Sequence, residues 1–185
     1  RNERSFVAAL VPPGAICGHK VPTIRFGEDD DWYFAPWLAI ANSFAMDWLT
    51  RSRLSSPTLS FTVMDNLPFP RWHRDHGLVT RLAPLVLRLT CTSTEMTDYW
   101  NAMSKYGWCE AAPDGAVPAE ALLDPSERAT TRAEIDAIVA KHVYDLTRDE
   151  LAYVLDQFPV LEKRDRKAHG TYVTKDRILD WYDRV

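Results

Sequence analysis

Leu59-Ser60-Phe61-Thr62-Val63, closed by Asn66-Leu67-Pro68-Phe69-Pro70, is the stretch on which the fold class turns. Apolar and polar residues alternate at period two, which is the pattern of a half-buried strand, and proline cannot serve a central ladder, so the strand is expected to stop there. Phe6 to Val11 reads as a second, buried strand, stopped by the turn Pro12-Pro13-Gly14. Residues Ala15 to Thr23 fit either a strand or a loop, and Gly27 to Asp31 fit an acidic turn.

Between these strands lies a strong helical signal. Pro36 suits a first helical position, Trp37, Ile40, Ala41, Phe44, Trp48 and Leu49 recur at spacings of three and four, and Arg51 and Arg53 complement the dipole at the far end. Asn42, Ser43 and Asp47 interrupt the most apolar stretch of the chain, Trp37 to Leu49. Leu78, Leu82, Leu85, Val86 and Leu89 predict another helix, and Thr92 with Glu95 predicts a capping box opening a helix from Glu95 to Met103. Beyond an Ala-, Pro- and Asp-rich stretch, Asp124-Pro125 can start a helix whose Ile135, Ile138, Val139 and His142 share a face. Thr147 and Glu150 form a second capping box ahead of Leu151, Val154, Leu155 and Phe158; Pro159 ends that helix, and Thr174 caps a last one carrying Ile178, Leu179 and Tyr182. The expected fold is therefore α/β (α+β): a small sheet with packed helices, followed by a mostly helical C-terminal segment. The expected organisation is residues 1–108 as one body, 109–126 as a linker and 127–185 as the helical segment.

Composition narrows the function. At 185 residues, with 46% hydrophobic residues, 7 Trp and 7 Tyr, the chain can bury a real core. Its net charge of -4 argues against a free-standing protein held to nucleic acid by bulk charge, while leaving room for a local basic patch. The 3 cysteines are odd in number and widely spaced, which fits a reducing, cytoplasmic setting better than a disulfide framework. No stretch is apolar for long enough to span a membrane. The opening Arg-Asn-Glu-Arg carries neither an initiator Met nor a leader pattern, as expected of a fragment of a longer polypeptide.

Catalytic patterns are not apparent. The 7 glycines are scattered, and neither a cofactor loop, a phosphate-cradling loop, an Asn-Pro-Pro-Tyr-type tetrapeptide, a nucleophile elbow nor a nuclease carboxylate-and-lysine set can be assembled. His73-x-x-His76 and Cys17-x-His19 have ligand-like spacing, but structural zinc wants four converging ligands, so a polar loop and a stray thiol are the expected reading and no metal is assigned.

Two stretches carry a family likeness. In the first, Asn2-Glu3-Arg4-Ser5-Phe6 precedes Ala9-Leu10-Val11-Pro12-Pro13-Gly14, then Leu38-Ala39-Ile40-Ala41-Asn42-Ser43, Thr58-Leu59-Ser60-Phe61 and Leu67-Pro68-Phe69-Pro70. In the second, Arg132-Ala133-Glu134-Ile135-Asp136-Ala137 precedes Val143-Tyr144-Asp145-Leu146-Thr147-Arg148-Asp149-Glu150-Leu151, Leu155-Asp156-Gln157-Phe158-Pro159 and Gly170-Thr171-Tyr172-Val173-Thr174-Lys175. Their order resembles the C-terminal target-recognition region of Eco57I-like adenine-specific DNA methyltransferases, the type IIG and phage-defence enzymes, and the first stretch also resembles type I restriction specificity subunits.

The resemblance implies a non-catalytic DNA sequence-recognition fragment. Its partners would be double-stranded DNA and the methylase domain of the parent chain. No cofactor is expected in this fragment, S-adenosylmethionine belonging to the methylase domain outside it, and the target adenine would be flipped into that domain. The expected DNA contacts are Arg51, Arg53, Ser55, Ser56 and Thr58 at the helix exit, and Arg71, Trp72, His73 and Arg74 after the Leu-Pro-x-Pro exit. His19 and Lys20 are weaker candidates, and the tail cluster Lys163, Arg164, Arg166, Lys167 and Lys175 reads as a solvated loop with phosphate contact as the minority reading. The alternative is a protein-protein docking module without base contacts, which a cluster of exposed apolar residues would favour.

Overall fold

The structure is a computed structural model that describes residues 3–18, 21–27, 29–54 and 59–185. Among the described residues there is no strand, so the expected sheet is not formed and the fold is all-α. The helices are α1 (Phe34–Ala41), α2 (Phe44–Arg53), α3 (Phe61–Asp65), α4 (Gly77–Thr90), α5 (Thr97–Ser104), α6 (Pro125–Ile138), α7 (Arg148–Asp156), α8 (Pro159–His169) and α9 (Val173–Tyr182). Short 3₁₀ turns precede α1 at Asp31–Tyr33 and α5 at Thr94–Met96, and α6 runs into a π turn at Val139–Val143.

Both expected strands fail for one reason: a strand needs a neighbour for its backbone polar groups, and a helix does not. At Leu59 to Val63 the Ser60 side chain accepts from the Val63 N–H, so Ser60 caps α3 and the apolar alternation is overridden by a local hydrogen bond. Phe61, expected to point inward, is 57% exposed, and Leu67 anchors the segment instead. The Phe6 to Val11 stretch belongs to no regular element. Side chains take up two of its N–H groups, those of Phe6 and Ala8: Phe6 donates to Asp47 Oδ2 at 3.3 Å, as does the preceding Ser5 at 2.9 Å. Asn42 accepts from the Ala8 N–H at 3.0 Å and donates to the Ala8 carbonyl at 2.9 Å. A single carboxamide thus makes the two-bond exchange that a facing peptide makes in an antiparallel pair.

The long helix expected from Pro36 to Arg53 is two helices. Ser43 lies between them, its hydroxyl donating to Ile40 O and accepting from Met46 N–H, which caps α2. The Thr147 and Glu150 capping box forms as expected. At the expected Thr92 box, the 3₁₀ turn starts from Ser93 without a side-chain cap. Thr174 does not cap α9 with its own hydroxyl; its N–H donates at 2.9 Å to the buried carboxylate of Asp165 from α8. Pro159 does not merely end α7, since it opens α8 at the first helical position, where its missing N–H costs nothing.

The chain divides into two compact units, each assembled from separate segments. The first comprises Arg1–Ala8, Ala39–Arg71 and Ser126–Val185, and the second comprises Ala9–Leu38 and Trp72–Pro125. In the first unit α2 packs on α7, α7 on α9 and α8 on α9, around Phe44, Leu151, Val154, Leu155, Phe158, Leu161, Tyr172, Ile178 and Leu179. Ile135, Ile138 and Val139 are buried as their spacing predicts, but His142 is exposed. The π turn adds a residue to the turn and rotates the following side chains out of phase. In the second unit Val79, Leu82, Ala83, Val86 and Leu87 form the buried face of α4, and Trp100 of α5 is buried with its indole N–H donating to Glu110 O at 2.6 Å. Residues 109–126, expected as a linker, are irregular up to Pro125 and are tied back to α4 by the Leu122 N–H donating to Arg88 O at 2.8 Å.

Replacing Asn42 by Ala removes the substitute peptide and leaves the Ala8 N–H and carbonyl without it. Urea titration is expected to show a loss of about 1–3 kcal/mol; a loss within measurement error would mean that water replaces both bonds at no cost.

Candidate nucleic-acid interface

Arg51, one of the expected contacts at the exit of α2, directs its guanidinium into the first unit. Its Nε donates to Asp47 Oδ1 at 2.7 Å, Nη2 to Glu3 O at 2.6 Å, and Nη1 to Gln157 O at 3.4 Å. Its plane lies over the Phe158 ring at 4.1 Å. Asp47 is fully buried and is held from the other side by Arg4, whose Nε donates to Oδ2 at 2.7 Å. Arg4 also donates to Asn42 O and Ser43 O and sits over the Phe44 ring at 4.3 Å. A fully desolvated carboxylate thus has two guanidinia and two backbone N–H groups around it. The sequence did signal this: Asp47 interrupts an apolar helix, and Arg51 follows it at i+4. Arg4, far away in the chain, carried no such signal.

Arg53 is exposed, and toward the described residues it makes a long 3.4 Å contact from Nη1 to Leu49 O. Ser55, Ser56 and Thr58, with His19 and Lys20, lie outside the described residues.

Arg71 is exposed and is the last residue of its segment of the first unit. Trp72, His73 and Arg74 follow in the second unit, in the turn that leads into α4. The His73 carbonyl accepts from the His76 N–H at 3.1 Å, and His76 Nδ1 accepts from the Leu78 N–H at 3.2 Å, capping α4. The half-buried Trp72 ring stacks on the His76 imidazole, with centroids 5.4 Å apart and planes 13° from parallel. Arg74 lies over the Tyr106 ring at 4.7 Å, which orients its guanidinium without neutralising it. The turn therefore brings Trp72, His73 and Arg74 together as exposed or half-exposed polar groups on a fixed scaffold. Arg51 and Arg53 belong to the first unit and are not part of this turn.

A second buried carboxylate, Asp136 of α6, was not singled out by sequence reasoning. It accepts from the Phe44 N–H at the first residue of α2, at 2.7 Å. Burial pushes its carboxyl up to about 6, although Arg4, the Phe44 N–H and Arg132 favour the ionised form.

Elsewhere, chemistry-bearing groups are muted. Burial raises the Cys91 thiol to about 12 and the Cys109 thiol to about 11, which keeps both from being thiolate nucleophiles at neutral pH. Among the described residues no three His, Cys, Asp or Glu side chains are grouped to hold a metal ion, and no helix is long and apolar enough to cross a membrane. A surface cleft of about 260 Å³ is lined by Glu3, Arg51, Asp156, Gln157, Phe158, Pro159 and Val160. Its charged groups are committed: Arg51 to Asp47, Glu3 to Arg164 and Asp156 to Lys175.

No family model matches the chain, and no curated protein or solved structure proves similar to it.

Asp47→Ala strands two guanidinia that face one another across the vacated site. It is expected to cost about 3–5 kcal/mol in urea unfolding, as for one partner lost from a buried ion pair; a cost below about 1 kcal/mol would show the cluster to be as weak as a surface pair. Asp136 gives a pH signature. Its folded value of about 6 exceeds the ordinary 3.8, so between those values the folded chain holds the proton more tightly than the unfolded one. The stability it contributes is present below 3.8 and is lost as pH rises through about 6, by at most about 3 kcal/mol. Asp136→Asn keeps an acceptor for Phe44 without the charge, so it should be more stable than the parent at about pH 8 and lose that advantage near pH 4. A variant less stable than the parent at the higher pH would mean that attraction to Arg4 and Arg132 outweighs desolvation.

Proposed function

We propose that this chain is a non-catalytic DNA sequence-recognition segment of a larger adenine-specific DNA methyltransferase of a restriction-modification or phage-defence system, working in the cytoplasm. The observation that carries the reading is the turn directly after Leu67-Pro68-Phe69-Pro70. There Arg71, His73 and Arg74 are exposed, Trp72 is stacked on His76, and Arg74 is steadied over Tyr106. Arginine reads guanine through O6 and N7, histidine can donate or accept at a base edge, and an indole can stack or wedge. Side chains held in place by rings lose less freedom on binding than loose ones. The order of the two resembling stretches supports the same reading.

In this reading the methyl donor and the transfer step lie with the methylase domain of the parent. The glycines of this chain are scattered, and no loop gathers them as a cofactor cradle requires. Arg51 contributes by fixing the scaffold, because all three of its guanidinium nitrogens donate inside the first unit, to Asp47 and to backbone carbonyls.

One observation favours a docking module instead. Val11, Ile16 and Val21, in the irregular first segment of the second unit, are 43%, 98% and 56% exposed. Apolar side chains so placed suit a protein surface better than a phosphate backbone.

Selection from a pool of randomised duplexes separates the two. The chain should enrich a defined short sequence, and Arg71→Ala with Arg74→Ala should flatten that preference by roughly tenfold or more, each bidentate contact carrying about 1–3 kcal/mol of discrimination. Recovery of unselected sequence from the parent chain would remove the recognition reading in favour of docking.

A further inference from the structure

The tail cluster Lys163, Arg164, Arg166 and Lys167, expected as a solvated loop, lies in the regular helix α8, which Gly170 ends in a left-handed conformation at φ 81°. The acids that dilute the cluster in sequence are turned to internal use. Asp165 is 3% exposed; it accepts from the Thr174 N–H to cap α9 and from Arg164. Glu162 accepts from Arg166 at 2.7 Å. Leu161 and Asp165 define the inward face, and at about 100° per residue Lys163 and Lys167 project from the opposite side. Both lysines are exposed, and neither has an ion-pair partner among the described residues.

We propose that the outward face of α8, centred on Lys163 and Lys167, is a second contact surface for the phosphate backbone of duplex DNA. It rests on the recognition reading above but concerns different residues and a different part of the nucleic acid. Helix-dipole stabilisation accounts for Arg166, Lys167 and His169 in the last turn. It does not account for Lys163, which sits in the first half of the helix, where the dipole offers a cation nothing. The two lysines stand about 6 Å apart along the helix axis, close to the span of about 7 Å covered by two phosphate steps of one strand. At the same spacing that side of the helix also takes Pro159 and the half-buried Val160 at its first turn, and α8 carries no aromatic side chain. A protein partner would want an apolar centre depleted in lysine, and a membrane surface would want an apolar stripe; the apolar Leu161 of α8 is buried in the core of its own unit. The local positive face also reconciles DNA contact with a net charge of -4.

The test is fluorescence anisotropy of the chain with a labelled random-sequence duplex over a series of salt concentrations. Lys163→Gln with Lys167→Gln should weaken binding roughly tenfold at low salt and reduce the slope of log K against log salt by about 1.8, two released counterions' worth. Lys163→Arg with Lys167→Arg should keep the slope. An unchanged slope in the glutamine variant, with its thermal melt intact, overturns this inference while leaving the sequence preference of Arg71 and Arg74 untouched. If the glutamine variant loses slope and the Arg71 and Arg74 variant alters nothing, α8 stands and the recognition turn does not. No binding by the parent chain at the lowest salt, or equally tight binding of polyglutamate at matched ionic strength, overturns the α8 proposal.

Discussion

A carboxylate taken out of water needs other groups to take the water's place around its oxygens, and the fully buried Asp47 is where this chain supplies them. Two guanidinia and two peptide N–H groups converge on its oxygens. The consequences spread outward. Arg4 is fixed over Phe44, and Arg51 over Phe158, so the charged cluster and the apolar core share surfaces. Arg51 also ties Glu3 and Gln157 to α2. Phe44 in turn hands its N–H to Asp136 and its ring to Phe158 in an edge-on contact at 4.8 Å. The irregular opening segment, α2, α6 and the turn before α8 are thereby held by one connected set of polar bonds.

That arrangement explains why a sequence with strand-like alternation makes no sheet. Asn42 and Asp47 supply from side chains what a neighbouring strand would supply from its backbone, so Ser5, Phe6 and Ala8 gain hydrogen bonds at a helix corner. Side-chain substitutes of this kind cannot be seen in periodicity, because their partners are more than 30 positions away.

What was legible in the sequence is what is decided locally. The face of α7 follows from spacing, and the capping box at Thr147 follows from two residues three apart, whereas in α4 only Leu82 and Val86 of the expected residues are buried and Val79, Ala83 and Leu87 complete the inward face. Ser43 is the kind of residue that caps a helix, yet the apolar run through it masked the break between α1 and α2. The misreading at Leu59 to Val63 has the same origin, with Ser60 closing a turn that the alternation hid. In the candidate interface, residue type pointed to Arg51, but type alone does not reveal how many of its donors are already engaged; Arg74 stays exposed over the Tyr106 ring, and Trp72 is half-buried against His76.

The interleaving of the two units has a consequence for the order in which the chain can acquire its structure. The first unit contains residues from both ends of the chain, and its core aromatic Phe44 packs on Phe158. During synthesis, at about 5–20 residues per second, Phe44 and Asp47 emerge well before the helices that cover them. The second unit is complete once Pro125 has left the ribosome, whereas the first must wait for Ser126–Val185. The nascent chain therefore carries an uncovered α2 face for several seconds, a window in which a chaperone or a neighbouring domain can occupy it.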